Sequence, residues 1–134
     1  MKPQTRENEK IRVLLVEDEF LIAEWIAEWL AEQGFAVLVA SNSADALRHL
    51  AFSQVDVLFT DINLPGGMDG TALARKAREL LPQLAVIYAS ARVVALSAED
   101  RVPGAVFLAK PYQPATVGRL IAGAMHAARE PVFA

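Results

Sequence analysis

No cysteine occurs in the 134 residues. Disulfides, cysteine-ligated zinc and thiol catalysis are therefore excluded. Histidine is scarce: His49 and His126 are the only two, far apart in sequence, so a histidine-rich metal site within one chain is excluded as well. No apolar run approaches the roughly 18 residues that a membrane span needs. The first ten residues are polar and mixed in charge, without the apolar centre of a signal peptide. Positive charge is not in excess, since 13 Lys and Arg against 16 Asp and Glu give a net charge of -3. A basic surface for nucleic acid is thereby disfavoured. The expectation is a cytoplasmic protein that binds neither membrane nor nucleic acid. With 54% apolar and 22% charged residues, the chain is long and apolar enough to bury one core without covalent staples.

Strand and helix signals alternate along the chain. Short apolar runs at 11–16 (IRVLLV), 35–40 (FAVLVA), 55–60 (VDVLFT), 84–89 (LAVIYA) and 105–109 (AVFLA) predict five strands. They are apolar at consecutive positions, as strands covered on both faces are. Helices are predicted from Phe20 to Gln33 with Gly34 as the stop, from a cap at Ser41 or Ser43 to about Phe52, from about Asp69 to Leu81 before Pro82, and from about Gln113 to Ala128. Residues 91–104 are ambiguous. Pro103-Gly104 interrupts them and Ser97 is the best cap, which predicts a short, irregular fourth helix. This pattern is an α/β fold, a doubly wound five-stranded parallel sheet with helices on both faces. A flexible segment 1–10 and a tail 129–134 are expected to flank a domain spanning 11–128, with no space after the last helix for an output domain.

Ligands of such sheets bind beyond the carboxyl ends of the strands. The first strand is followed by Glu17 and Asp18, the third by Asp61, the fourth by Ser90 and the fifth by Lys110. Clustered carboxylates suit Mg²⁺ with retained waters. One carboxylate among them can act as a nucleophile toward phosphorus, and the lysine and hydroxyl can hold phosphoryl oxygens. Any one of these residues could simply end a turn; the set together, on one edge, points to phosphoryl transfer.

The segments VLLVEDE (13–19), VLFTDINLPGGMDG (57–70), VIYASA (86–91) and FLAKPY (107–112) resemble the receiver domain of two-component response regulators. The resemblance covers about residues 11–128, and the spacings between Asp18, Asp61, Ser90 and Lys110 are close to the family pattern. It implies a flavodoxin-like strand order 2-1-3-4-5. It further implies Asp61 as phosphoacceptor, and Mg²⁺ held by Asp18, by Glu17 directly or through water, by Asp61 and by the Asn63 backbone carbonyl. Ser90 and Lys110 are implied as the phosphoryl-binding hydroxyl and lysine, and Ser90 with Phe107 as the switch pair. Phe107 lacks the hydroxyl that a tyrosine would bring there, and it also reads simply as a core aromatic. Two departures fall near the moving parts of receivers: an extra glycine at Gly66-Gly67, and a short span from Ser90 to Lys110.

The implied partner is a sensor histidine kinase or phosphotransfer protein, together with an unknown downstream protein, and the implied role is that of adaptor or phosphate shuttle or sink. The protein would not be an enzyme with an external product, catalysing only its own phosphorylation and dephosphorylation. An aspartyl-phosphate hydrolase of the haloacid-dehalogenase type is the rival. That type has a second aspartate two residues past the nucleophile, where this chain has Asn63. A scaffold that has lost phosphorylation is a third reading.

At 100° per residue, Ile22, Ile26, Trp29 and Leu30 share one side of the first helix, and Glu24, Glu28 and Glu32 the other. Leu21 and Trp25 fall near the acidic side, and Trp25 reads either as a ring lying flat on the surface or, as the receiver resemblance implies for this helix, as a kinase contact. Gly118, Ala122, Gly123, Ala124, Ala127 and Ala128 of the last helix allow close backbone approach, either on the sheet or in a weak homodimer. Arg75, Lys76 and Arg78 read as a solvated face. Arg92, two residues past Ser90, reads either as a solvated residue or as one that could swing toward a phosphoryl group at Asp61.

Overall fold

The computed structural model describes residues 10–91 and 101–129. The elements are β1 (Arg12–Val16), α1 (Phe20–Glu32), β2 (Ala36–Ala40), α2 (Ser43–Phe52), β3 (Val57–Asp61), α3 (Gly70–Leu80), β4 (Ala85–Ser90), β5 (Val106–Ala109) and α4 (Pro114–Arg129). All strand pairs are parallel and the order is β2-β1-β3-β4-β5. The expected flavodoxin-like order is thus present. The predicted short helix within 91–104 and Arg92 fall largely on residues 92–100, outside the described residues. So do most of the segment 1–10 and of the tail 129–134.

Consecutive apolar residues in each strand serve two cores. Val13 and Leu15 of β1, Val57 and Phe59 of β3 and Ile87 of β4 pack with Ala23, Ile26 and Leu30 of α1 and with Val117, Ile121 and Met125 of α4. Leu14, Val16, Leu58, Val86 and Tyr88 face the other way, onto Ala46 and Leu50 of α2 and Leu73, Ala74 and Ala77 of α3. A strand that alternates its side chains between two covered faces has no polar positions to spare until it emerges. The first polar residues therefore come at the strand ends.

The helix ends follow local chemistry. Gly34 takes φ 97°, and the amides of Gly34 and Phe35 close on the Ala31 and Leu30 carbonyls. That is the paired capping of a glycine-terminated helix. At α2 the structure corrects the expected cap. Asn42 Oδ1, not Ser41 or Ser43, accepts the Asp45 amide at 2.8 Å, and Ser43 is already the first helical residue and buried. Asp69 caps α3 through the Ala72 amide at 2.9 Å.

The small residues of α4 also find a reason. A Cβ on Gly118 would stand 2.8 Å from Trp29 Cζ3 and 3.8 Å from Phe35 Cε2. Gly118 is the notch that lets α1 and α4 close over the sheet, whereas Ala122 and Gly123 stay exposed. Arg78 departs from the expected solvated face. It is half-buried and donates to the Pro103 carbonyl at 3.0 Å, while Arg75 and Lys76 are exposed.

Candidate functional site

The parallel order brings every strand-end residue singled out in the sequence to one edge of the sheet. β3 lies between β1 and β4, and β5 lies beyond β4. Asp61 therefore ends the central strand, Glu17 and Asp18 follow the strand on one side, and Ser90 ends the strand on the other. Lys110 follows β5 and donates its amide to the Ser90 carbonyl at 2.8 Å. β2 contributes only backbone, its Ala40 carbonyl accepting the Glu17 amide at 3.0 Å.

Lys110 Nζ stands 2.7 Å from Asp61 Oδ1 and 3.1 Å from Glu17 Oε1. Glu17 Oε2 accepts the Glu19 amide at 3.1 Å. Asp61, Glu17 and Ser90 are buried, and Asp18 is exposed. Burial, the neighbouring Glu17 carboxyl and its charge push the Asp61 carboxyl up to about 7, against the pull of Lys110. Burial would raise Glu17 too, but hydrogen bonds from Asp61, the Glu19 amide and Lys110 outweigh it and hold that carboxyl below its usual range. Burial would lower Lys110; its two carboxylate partners raise it instead. Two carboxyl groups thus crowd together beside one ammonium, a repulsion that a divalent cation would relieve.

Glu17, Asp18 and Asp61 each offer a carboxylate oxygen, all within 4.8 Å of one another. Oxygens around an octahedral Mg²⁺ at its usual bond length lie about 3 to 4 Å apart, so small side-chain rotations close the set on such an ion. The donors are hard oxygens without sulfur or nitrogen, which fits magnesium or calcium over the softer metals. Asn63 lies exposed two residues past Asp61.

Phe107 is not part of this cluster. Its ring packs on Tyr88, with centroids 5.2 Å apart and planes at 37°. Two further residues bear on the site and went unassigned in the sequence. Gly70, the first residue of α3, donates its amide to the Ile62 carbonyl at 2.7 Å. A Cβ there would fall 1.9 Å from the Asp61 carbonyl oxygen. The helix start is pressed against the backbone of the central aspartate, and only glycine permits it; the Asp69-Gly70 pair was the available signal. Tyr88 is fully buried, and its hydroxyl accepts the Val102 amide at 3.2 Å. No sequence signal distinguished that hydroxyl from an ordinary strand aromatic.

Beside the cluster lies an apolar groove of about 360 Å³, lined by Ile22, Trp25, Ala91, Lys110, Pro111 and Tyr112. Phe20, Leu21 and Trp25 of α1 border this end of the molecule with 70%, 78% and 51% of their surfaces exposed. Among the described residues no helix is long and apolar enough to cross a membrane.

Comparison with known proteins agrees with this geometry. Residues 13–122 match the response regulator receiver domain. The response regulator receiver protein CpdR of Brucella abortus is 34% identical over 75% of this chain and 85% of its own. The sensor histidine kinase RcsC of Escherichia coli is 30% identical over 66% of this chain; the match spans 9% of that kinase. A receiver protein from Sinorhizobium medicae superposes with a TM-score of 0.84 at 28% identity, covering 91% of this chain and 99% of that one. A CheY-like receiver domain from Methanospirillum hungatei gives 0.79 at 26% identity, covering 90% and 97%. With the acidic cluster, the strand-end lysine and the 2-1-3-4-5 sheet in place, the chain belongs to the response regulator receiver domain family of two-component signalling.

Proposed function

We propose that this protein accepts a phosphoryl group on Asp61 from a histidine kinase or phosphotransfer protein and signals in the cytoplasm through protein contacts. The observation that carries the reading is the contact of Lys110 Nζ with Asp61 Oδ1 at 2.7 Å, inside a cluster where Glu17 and Asp18 offer further oxygens. An Asp61 oxygen attacks phosphorus, the bond from phosphorus to the donor imidazole nitrogen breaks, and the imidazole leaves with a proton. Lys110 leaves the carboxylate and pairs with a phosphoryl oxygen, and Ser90 donates its hydroxyl to another. Hydrolysis of the acyl phosphate by water returns the carboxylate and inorganic phosphate. Glu17, Asp18, Asp61 and the Asn63 carbonyl would hold Mg²⁺, whose charge offsets that of the transferred group. Burial of Asp61 beside Glu17 keeps its carboxyl partly protonated near neutrality in the metal-free protein, so cation binding also readies the nucleophile.

The donor's docking surface in this reading is the exposed apolar part of α1 with the groove that reaches Lys110. Trp25 and Leu21 would meet the apolar face of the donor helix and set its histidine above Asp61. Ser90 and Phe107 would form the switch, with Tyr88 behind the phenylalanine ring. The absence of a second aspartate two residues after Asp61 disfavours a phosphatase with external substrates. The test is incubation with acetyl phosphate and Mg²⁺ followed by intact-mass measurement. A single phosphoryl adduct that disappears in Asp61→Asn supports the assignment; an adduct that persists overturns it.

A further inference from the structure

The apolar groove beside the cluster is continuous with the place a phosphoryl group would occupy. Lys110 forms one wall of the groove, and its Nζ stands 2.7 Å from Asp61 Oδ1. Ala91, another wall, follows directly on Ser90. The Lys110 amide donates to the Ser90 carbonyl at 2.8 Å, which holds these two walls together. A phosphoryl group between the Ser90 hydroxyl and the Lys110 ammonium therefore sits at the mouth of the groove. The leaving group of an in-line displacement points away from Asp61. A tail on that leaving group has Ile22 and Trp25 of α1, Pro111 and Tyr112 to lie against.

The walls select the tail. The volume of about 360 Å³ falls in the range of small-molecule pockets, about 300–1,000 Å³. Two aromatic rings, an isoleucine and a proline hold a tail by its apolar surface. Among the described residues Lys110 is the one charged wall, and it is engaged with Asp61 and Glu17. Proton supply selects the leaving group. An amine or imidazole takes up a proton as it departs, and a small donor brings no acid of its own. Burial and the charges of Glu17 and Asp61 raise the Tyr112 phenol above its ordinary range, so it is no acid at neutral pH. A carboxylate departs without a proton.

We propose that this groove holds the apolar tail of a small acyl phosphate, so that the protein takes its phosphoryl group from acyl phosphates of longer alkyl chain in preference to acetyl phosphate. The inference rests on Asp61 as the phosphoacceptor and adds the class of small donor. An Asp61 oxygen bonds to phosphorus, the bond from phosphorus to the acyl oxygen breaks with its electron pair, and the alkyl carboxylate leaves. No proton, oxidant or reductant is consumed.

The test compares acetyl and hexanoyl phosphate, each with Mg²⁺ and the full chain, by the initial rate of phosphoryl gain in intact mass at equal low concentration. The two leaving carboxylates are nearly equal in basicity, so the chemical step alone gives equal rates. Each methylene buried in the groove multiplies the rate by about fourfold. Partial burial of the extra methylenes of the hexanoyl chain therefore gives at least about a tenfold preference. Ala91→Leu fills the groove from its rim and Trp25→Ala removes a wall, and each brings the ratio of the two rates toward one. The ratio cancels any effect of either substitution on folding or on Asp61 itself. Equal rates from the two donors in the parent, or a preference that both variants keep in full, overturn the proposal and leave Asp61 as phosphoacceptor. A parent that takes up no phosphoryl group from either donor overturns both.

Discussion

Substituting Gly70 by alanine tests how the fold holds its central aspartate. The new Cβ would lie 1.9 Å from the Asp61 carbonyl oxygen and 2.8 Å from its carbon. Ordinary contact begins at 3.4 Å, so the start of α3 must retreat by about 1.5 Å. Both sides of the clash are backbone, and neither has a rotamer to change. Overpacking of this kind costs about 1–3 kcal/mol. The Gly70 amide bond to the Ile62 carbonyl, 2.7 Å long, is lost with the retreat, at about 1 kcal/mol. Against this, alanine loses less chain entropy on folding than glycine, which returns about 0.4–1 kcal/mol. The net is about 1–4 kcal/mol of destabilisation, or a fall of roughly 4–15 °C in melting temperature for a domain of this size. Phosphorylation by acetyl phosphate should slow as well, because the backbone that aims the Asp61 carboxylate has moved. The control is Gly123→Ala. Its Cβ meets nothing within 4 Å, so removing a glycine from the helix interior should stabilise by up to about 1 kcal/mol. Thermal melts of the two variants beside the parent decide the matter. A Gly70→Ala protein that melts within 2 °C of the parent and phosphorylates at the parent rate (~2 °C being well below the expected shift) would refute the reasoning.

Four further outcomes are expected. The Asp61 carboxyl is raised in the fold to about 7 from 3.8, so the native state binds the extra proton between these values and metal-free stability falls as pH rises through that window; Asp61→Asn in a chelator should flatten the fall and melt above the parent at pH 8 (~1 unit above the native value), and an unchanged slope would contradict it. Magnesium at millimolar concentration should raise the parent's melting temperature, and Asp18→Asn should shrink that rise; equal rises in both would remove Asp18 from the metal site. Trp25→Ala should slow transfer from a cognate kinase while leaving acetyl phosphate labelling intact, with equal losses in both assays pointing to misfolding instead. Tyr88→Phe keeps the ring but deprives the buried Val102 amide of its acceptor, at about 1 kcal/mol, and hydrogen exchange should report loss of protection at that amide ahead of the rest of β4.

Much of the fold was legible because parallel strands covered on both faces cannot hide their periodicity. An apolar run such as VLFT stops where the chain leaves the sheet, so Asp61, Ser90 and Lys110 announce themselves as strand ends. The capping of α1 at Gly34 and the start of α3 near Asp69 were readable for the same local reason: those residues act on their own neighbours in sequence. At α2 the local reading failed because three polar residues in succession, Ser41, Asn42 and Ser43, all can cap, and the choice depends on where β2 delivers the chain.

The sequence by itself determined which chemical groups the sheet edge carries, since strand length and residue type are local properties. The strand order came from the resemblance and not from periodicity, because parallel strands of similar composition look alike along the chain. Only the tertiary structure decided how the groups differ in state. Glu17 and Asp18 are neighbours in sequence, yet one is buried against Lys110 and the other exposed. Lys110 reaches Glu17 from across the sheet, from just past a strand nearly a hundred residues later (93 positions on). The hydroxyl of Tyr88 under Val102 and the packing of Gly118 against Trp29 likewise depend on contacts between elements distant in sequence. Such contacts leave no periodic trace, and the folded chain alone brings them together.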